Sequence, residues 1–192
     1  METTSAAMVA LARRDFKRRP RWEELAFSAY VSIVKGKSAK DLVRGYVREA
    51  KSLERRGHGG PEQLPSGAVI MKLDDEGRAR VIVEAYRALP PPPRSRAYGE
   101  CIMLGLLATT LLRKDLPLST EDLETMTACC ARAVYPAWGP CDYDHALLKA
   151  LARAPRISPK IKRSLRALIS RRGDEYAVDR RICAACVELM DR

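Results

Sequence analysis

Residues 67–93 read GAVIMKLDDEGRARVIVEAYRALPPPP, and two folds compete for them. As strands, AVIMKL and RARVIVEAY would flank an Asp-Asp-Glu-Gly turn, with β-branched residues on both sides of a hairpin. As a helix, Asp74 would cap a segment in which Ala79, Ile82, Val83, Tyr86 and Leu89 recur at three-and-four spacing. The surroundings favour the helix. Every neighbouring segment has helical periodicity, and a two-stranded hairpin alone is marginal in water. The chain is therefore expected to be all-α.

Upstream, segment 4 to 18 carries Val9, Ala12 and Phe16 on one face, and Arg14, Lys17 and Arg18 on the other. Pro20 ends it, because the residue before a proline avoids the helical region. A second helix opens at Pro20 on the stripe Trp22, Leu25, Ala26, Ala29 and Ile33. Ser38 is then a cap for Leu42, Val43, Tyr46, Val47, Ala50 and Leu53, and Gly57 is a natural stop. The four prolines at 90–93 form a stiff spacer. They divide a basic helical region, 1–89, from a second helical region, 94–192.

Downstream the punctuation sharpens. Helix starts are expected near 98, 119, 142, 158 and 175. Ser119 with Asp122 makes a capping box, Asp142 caps the next helix, and Ser158 with Pro159 opens another. Gly173 closes that one and Asp174 starts the last, which runs to Met190. Short connections require neighbours to pack antiparallel. The whole reads as about eight antiparallel helices in a stack or bundle.

A helix pair recurs about every 35 to 45 residues over this half of the chain. In that spacing, and in phrases such as LPLSTEDLETM (116–126) and DHALLKALARA (144–154), residues 94–191 resemble HEAT- or armadillo-type helical repeats. The resemblance implies a stack of helices used as a binding surface without catalysis. It carries over no functional residue.

Composition limits the classes of function. With 46% hydrophobic and 31% charged residues, the chain has the make-up of a soluble globular protein. No apolar run approaches the roughly 18 residues of a membrane span. The opening METTSAAMVALARR has its charges after the apolar stretch, the reverse of a secretory signal, so a cytoplasmic location and thiol cysteines are expected.

Cys183 and Cys186 have the spacing of half a zinc knuckle, and Cys129, Cys130, Cys141 and His145 could complete it. Their mid-helix position beside Ile182, Leu189 and Met190 fits buried hydrophobes better. Asp142 and His145, three apart, could share a metal or pair as base and orienting group, but helix capping accounts for the aspartate. His58 lies in a glycine-rich loop. No nucleophile elbow, phosphate-cradling loop, dinucleotide fingerprint or His-Glu-x-x-His helix occurs. Neither a catalytic residue nor a cofactor or metal is expected.

Charge is the remaining signal. The net charge of +11 is uneven: 14 basic against 7 acidic residues over 1–60, 8 against 10 over 61–128, and 13 against 7 over 129–192. Two basic ends flank a near-neutral middle, which suits an acidic partner. The residues for this are Arg13, Arg14, Lys17, Arg18, Arg19 and Arg21 at one end. At the other they are Lys160, Lys162, Arg163, Arg166, Arg171, Arg172, Arg180 and Arg181. The first four of that second set avoid the stripe Ile161, Leu165, Leu168 and Ile169, and are expected to face water together.

Tyr135, Trp138 and Tyr143, crowded into one turn, either anchor a partner or plug the end of the helix stack. The expected function is a non-enzymatic helical module or scaffold docking an acidic protein. Sequence-independent nucleic-acid binding is the alternative. The sequence sets no oligomeric state.

Overall fold

The computed structural model describes residues 36–53, 61, 64–90, 98–133, 142–172 and 179–191. Its chain divides into two units, 1–37 and 38–192, and the helices on both sides of the proline run belong to the second. Among the described residues that unit has eight helices: α1 (Ala39–Leu53), α2 (Pro65–Lys72), α3 (Asp75–Arg87), α4 (Tyr98–Leu111), α5 (Thr120–Arg132), α6 (Asp142–Arg153), α7 (Pro159–Arg172) and α8 (Asp179–Asp191). Among the described residues there is no strand.

The contested stretch is two helices, so the hairpin alternative falls. Leu73 and Asp74 are extended and break the helical path, and the backbone N–H of Gly77 donates to the Asp74 carboxylate at 2.7 Å to start α3. The strand-like look of AVIMKL has a physical cause. Five consecutive residues of α2, Ser66 to Ile70, are buried, so the run shows neither helical nor strand alternation. Pro65 at the first turn supplies the start. Glu49 of α1 holds that start down, accepting from the Ser66 N–H at 2.9 Å and from its hydroxyl at 2.6 Å.

Packing follows an alternating rule. One layer runs α1, α3, α5, α7, each helix lying on the next, and the other runs α4, α6, α8. The pairs α3/α4, α5/α6 and α7/α8 join the layers, and α2 packs on α1 and α3. A helix in this arrangement buries two flanks at once, and α4, which touches α1, α3 and α6, is apolar nearly all round. The core between layers includes Tyr46, Ile82, Leu107, Met126, Leu147, Leu151, Ile161 and Leu165, all fully buried. At Gly105 of α4 a Cβ would lie 3.2 Å from Asp142 Cβ, so the missing side chain lets the start of α6 approach.

Three helix starts lie where local chemistry expects them. The Asp41 N–H donates to Ser38 Oγ at 3.2 Å, Ser119 and Asp122 form the reciprocal box, and the Ile161 N–H donates to Ser158 Oγ at 3.2 Å behind Pro159. Asp142 differs: it is the first residue inside α6 rather than its cap. The described part of α8 begins at Asp179, and residues 173 to 178 lie outside the described residues.

Carbonyls at helix C-terminal ends are met by cations from other helices. Arg78 Nη2 donates to the Met71 carbonyl at 2.6 Å, Arg153 Nη2 to that of Leu112 at 2.8 Å, and Lys162 Nζ to that of Met190 at 2.6 Å. Arg153 is also paired with Asp115 at 2.7 Å.

Two substitutions test these local accounts in urea denaturation. Ser119→Ala removes the side-chain half of the box, the bond from the Asp122 N–H to Ser119 Oγ, and is expected to cost about 1 kcal/mol. Gly67→Ala is expected to cost more, about 2 kcal/mol, because its Cβ would overlap the Pro61 carbonyl oxygen and the backbone must shift.

Candidate functional site

The described part of the basic C-terminal region centres on α7, which has six cations and no carboxylate. Its inward stripe, Ile161, Leu165 and Leu168, is buried against α5 and α8. On the outward side Lys160, Arg163, Arg166, Ala167 and Ser170 are all exposed.

The cations of this helix have different fates. Lys160 lies 3.2 Å from the Glu124 carboxylate of α5, which also accepts from the Ser158 hydroxyl at 2.7 Å. The Ser158 hydrogen bond, with Lys160 beside it, holds the Glu124 carboxyl below the usual carboxylate range. Lys162, expected to face water with its neighbours, is turned aside: it is half-buried and capped onto the Met190 carbonyl. Arg163 and Arg166 make no ion pair or hydrogen bond with any described residue. They are one turn apart on the same exposed stripe.

The other expected contributors are not brought into view. Arg171 and Arg172 end α7, and Arg180 and Arg181 lie in the first turn of α8, but their side chains lie outside the described residues. So do Arg13, Arg14, Lys17, Arg18, Arg19, Arg21, Tyr135, Trp138, Cys141 and His58.

Tyr143 faces inward and is 1% exposed, so it plugs the stack and offers no surface anchor. Its ring meets that of Tyr86 edge-on, with centroids 6.5 Å apart and planes at 85°. The Tyr86 hydroxyl donates to the Tyr143 carbonyl at 2.5 Å. Next to it, Cys130 donates its thiol hydrogen to Asp144 at 2.8 Å, and Asp144 is fully buried. Asp144 lies in the first turn of α6, where an acid favours the helix start. Nothing in its local sequence marks its burial, because α3, α5 and α6 meet around it only in three dimensions.

Burial pushes the Tyr86 phenol well above its ordinary value of 10.0, with Cys130 and then Asp144 adding to the effect.

The five described cysteines form no disulfide, and Cys186 is fully buried on α8 as a core residue. Among the described residues no three His, Cys, Asp or Glu side chains group to hold a metal ion. Asp142 is exposed and His145 half-buried. No described helix is long and apolar enough to cross a membrane. Comparison of the chain with protein-family models, curated proteins and solved structures finds no match, so the case for this face rests on its own geometry.

The buried phenol makes a testable prediction. Because its folded pKa is raised, the stability it confers is intact below the ordinary value of 10.0, and is lost as pH climbs through the folded value. In urea denaturation Tyr86→Phe is expected to cost about 1 kcal/mol at neutral pH, and to lose less stability than the parent on going above pH 10. In an absorbance titration the parent is expected to show one more late-ionising tyrosine than Tyr86→Phe.

Proposed function

We propose that this protein is a non-enzymatic binding module, built from stacked helix pairs of the HEAT-like kind, that docks an acidic protein partner on the outward face of α7. The observation that carries this is the fate of the cations. Lys160 and Lys162 are committed to neighbouring helices, whereas Arg163 and Arg166 stand exposed on a stripe without a carboxylate. Solvated arginines a turn apart can meet two carboxylates with forked hydrogen bonds, and little has to be broken first. The alternating helix packing supports the scaffold half of the reading. Stacks of this kind present extended faces to partners. The reading assigns the molecule no reaction.

A second reading is favoured by the same arginines, because the guanidinium fork suits phosphate as well as carboxylate. Binding would then be largely independent of base sequence.

Charge reversal separates the two. In capture from a native lysate, the full chain is expected to retain an acidic protein after nuclease treatment, and R163E/R166E to recover roughly tenfold less of it. If nuclease removes the partner instead, a labelled random-sequence duplex should bind the parent with a steep salt dependence. The double variant should then flatten the log–log slope by roughly 2, one unit per lost phosphate contact. Failure to bind either polyanion at low salt rejects both readings.

A further inference from the structure

A cleft of about 310 Å³ opens beside α1, away from α7 in the order of the layer. Its lining comes from three elements: Val43, Arg44, Val47 and Arg48 of α1, Ala88 just past α3, and Glu100 in the first turn of α4. The residues divide by chemistry. Val43, Val47 and Ala88 make an apolar floor, with Val43 buried, Val47 half-buried and Ala88 exposed. Arg44 and Arg48, four apart and both exposed, stand at the rim. Lys40 extends the exposed positive charge toward the start of α1. Against these cations stand two carboxylates. Asp41 reaches Arg44 only at 3.9 Å, between two largely exposed side chains, and Glu100, half-buried at the wall, has an interaction of its own.

We propose that this cleft takes an acidic, apolar-anchored peptide segment of a protein partner. One or two of the segment's apolar side chains would enter between Val43, Val47 and Ala88, and flanking carboxylates would meet Arg44 and Arg48. The inference rests on the reading of the molecule as a module for an acidic partner, and adds a second, chemically different contact to the α7 face.

Three arguments select this occupant. The rim is basic and the floor apolar, so a ligand needs both characters at once. Duplex nucleic acid presents a uniform line of phosphates with its bases stacked inside, and so offers no aliphatic anchor for the floor. A free small molecule would bury too little of itself, because small-molecule sites enclose most of their ligand and this cleft is shallow and open. A chain segment needs only a side chain inside, with its remaining contacts at the rim. Anchors of this kind, ringed by arginine, carry much of the affinity at protein interfaces.

The test uses the full chain and a short fluorescent peptide with a Leu-Phe pair between glutamates, followed by anisotropy. The parent is expected to bind it. R44E/R48E should weaken binding roughly tenfold or more, the scale of losing two charge-assisted contacts. Ala88→Glu, at an exposed position that should tolerate it, is expected to weaken binding similarly by filling the floor with a like charge. A peptide with serines for the Leu-Phe pair should also bind poorly. R163E/R166E should leave this affinity unchanged, so a failure of the α7 reading and a failure at the cleft give different patterns.

The proposal is overturned if R44E/R48E and Ala88→Glu both bind the peptide as the parent does, or if a glutamine-for-glutamate peptide binds equally well. It is also overturned if sedimentation shows that the parent self-associates and R44E/R48E does not, which would assign the cleft to a second copy of the chain.

Discussion

Among the described residues no helix is long enough to be secure by itself. The eight run from 8 to 15 residues, and isolated helices of that length are marginal in water. Their stability must come from flanks buried against other helices. In the alternating arrangement each helix past α2 has its hairpin partner on one side and the helix two places along the chain on another. α2 illustrates the dependence most plainly. It has two turns, five consecutive buried residues, and a start held by Glu49 of another helix.

Stacking short helices also multiplies helix ends, and each end presents carbonyls that need donors. Here the donors include arginine and lysine side chains reaching across from other helices. The bonds to Met71, Leu112 and Met190 use Arg78, Arg153 and Lys162, cations that composition alone would assign to the solvent or to a partner. Part of the positive excess is therefore structural. The search for a binding face narrows to the cations left over after helix ends and nearby carboxylates have been served. Among the described side chains of α7 those are Arg163 and Arg166. On α1 the rim residues are Arg44 and Arg48.

What could be read from the sequence was local in origin. Ser38, Ser119, Ser158 and Asp74 each act on a backbone N–H three residues away, so the residue and its consequence lie within one short window. The all-α class followed from periodicity repeated in segment after segment. What stayed hidden depends on distant pairs. Lys162 finds its carbonyl 28 residues along the chain and Arg153 finds one 41 residues away, so neither bond has a signature in spacing. Asp144 is a further case of this kind. Its first-turn position predicts a favourable charge, and its burial arises only once α3 and α5 close over it. The cleft at Arg44 and Arg48 could not be seen either, because its floor joins residues 43 and 47 to residue 88.

A stack has a further property that a globule lacks: order in the chain becomes order in space. The first layer runs α1, α3, α5, α7, so blocks of charge along the sequence are laid out as blocks along that layer. α3 balances three acids with three arginines and holds ion pairs within itself, Arg78 with Asp75 at 3.3 Å, Arg80 with Glu76 at 3.6 Å and Arg87 with Glu84 at 2.5 Å. α5 is acidic in its first turn and neutralises part of its neighbour through Glu124 and Lys160. Among the described residues Arg163 and Arg166 of α7 make no such pair, and on α1 Arg44 has only the 3.9 Å contact with Asp41. Along the described part of that layer the net charge runs from positive on α1, through zero on α3 and negative on α5, to positive on α7. If the proposed acidic partner reached both ends, it would have to pass the acidic first turn of α5, so the two contacts would act as separate sites that reinforce each other through effective concentration.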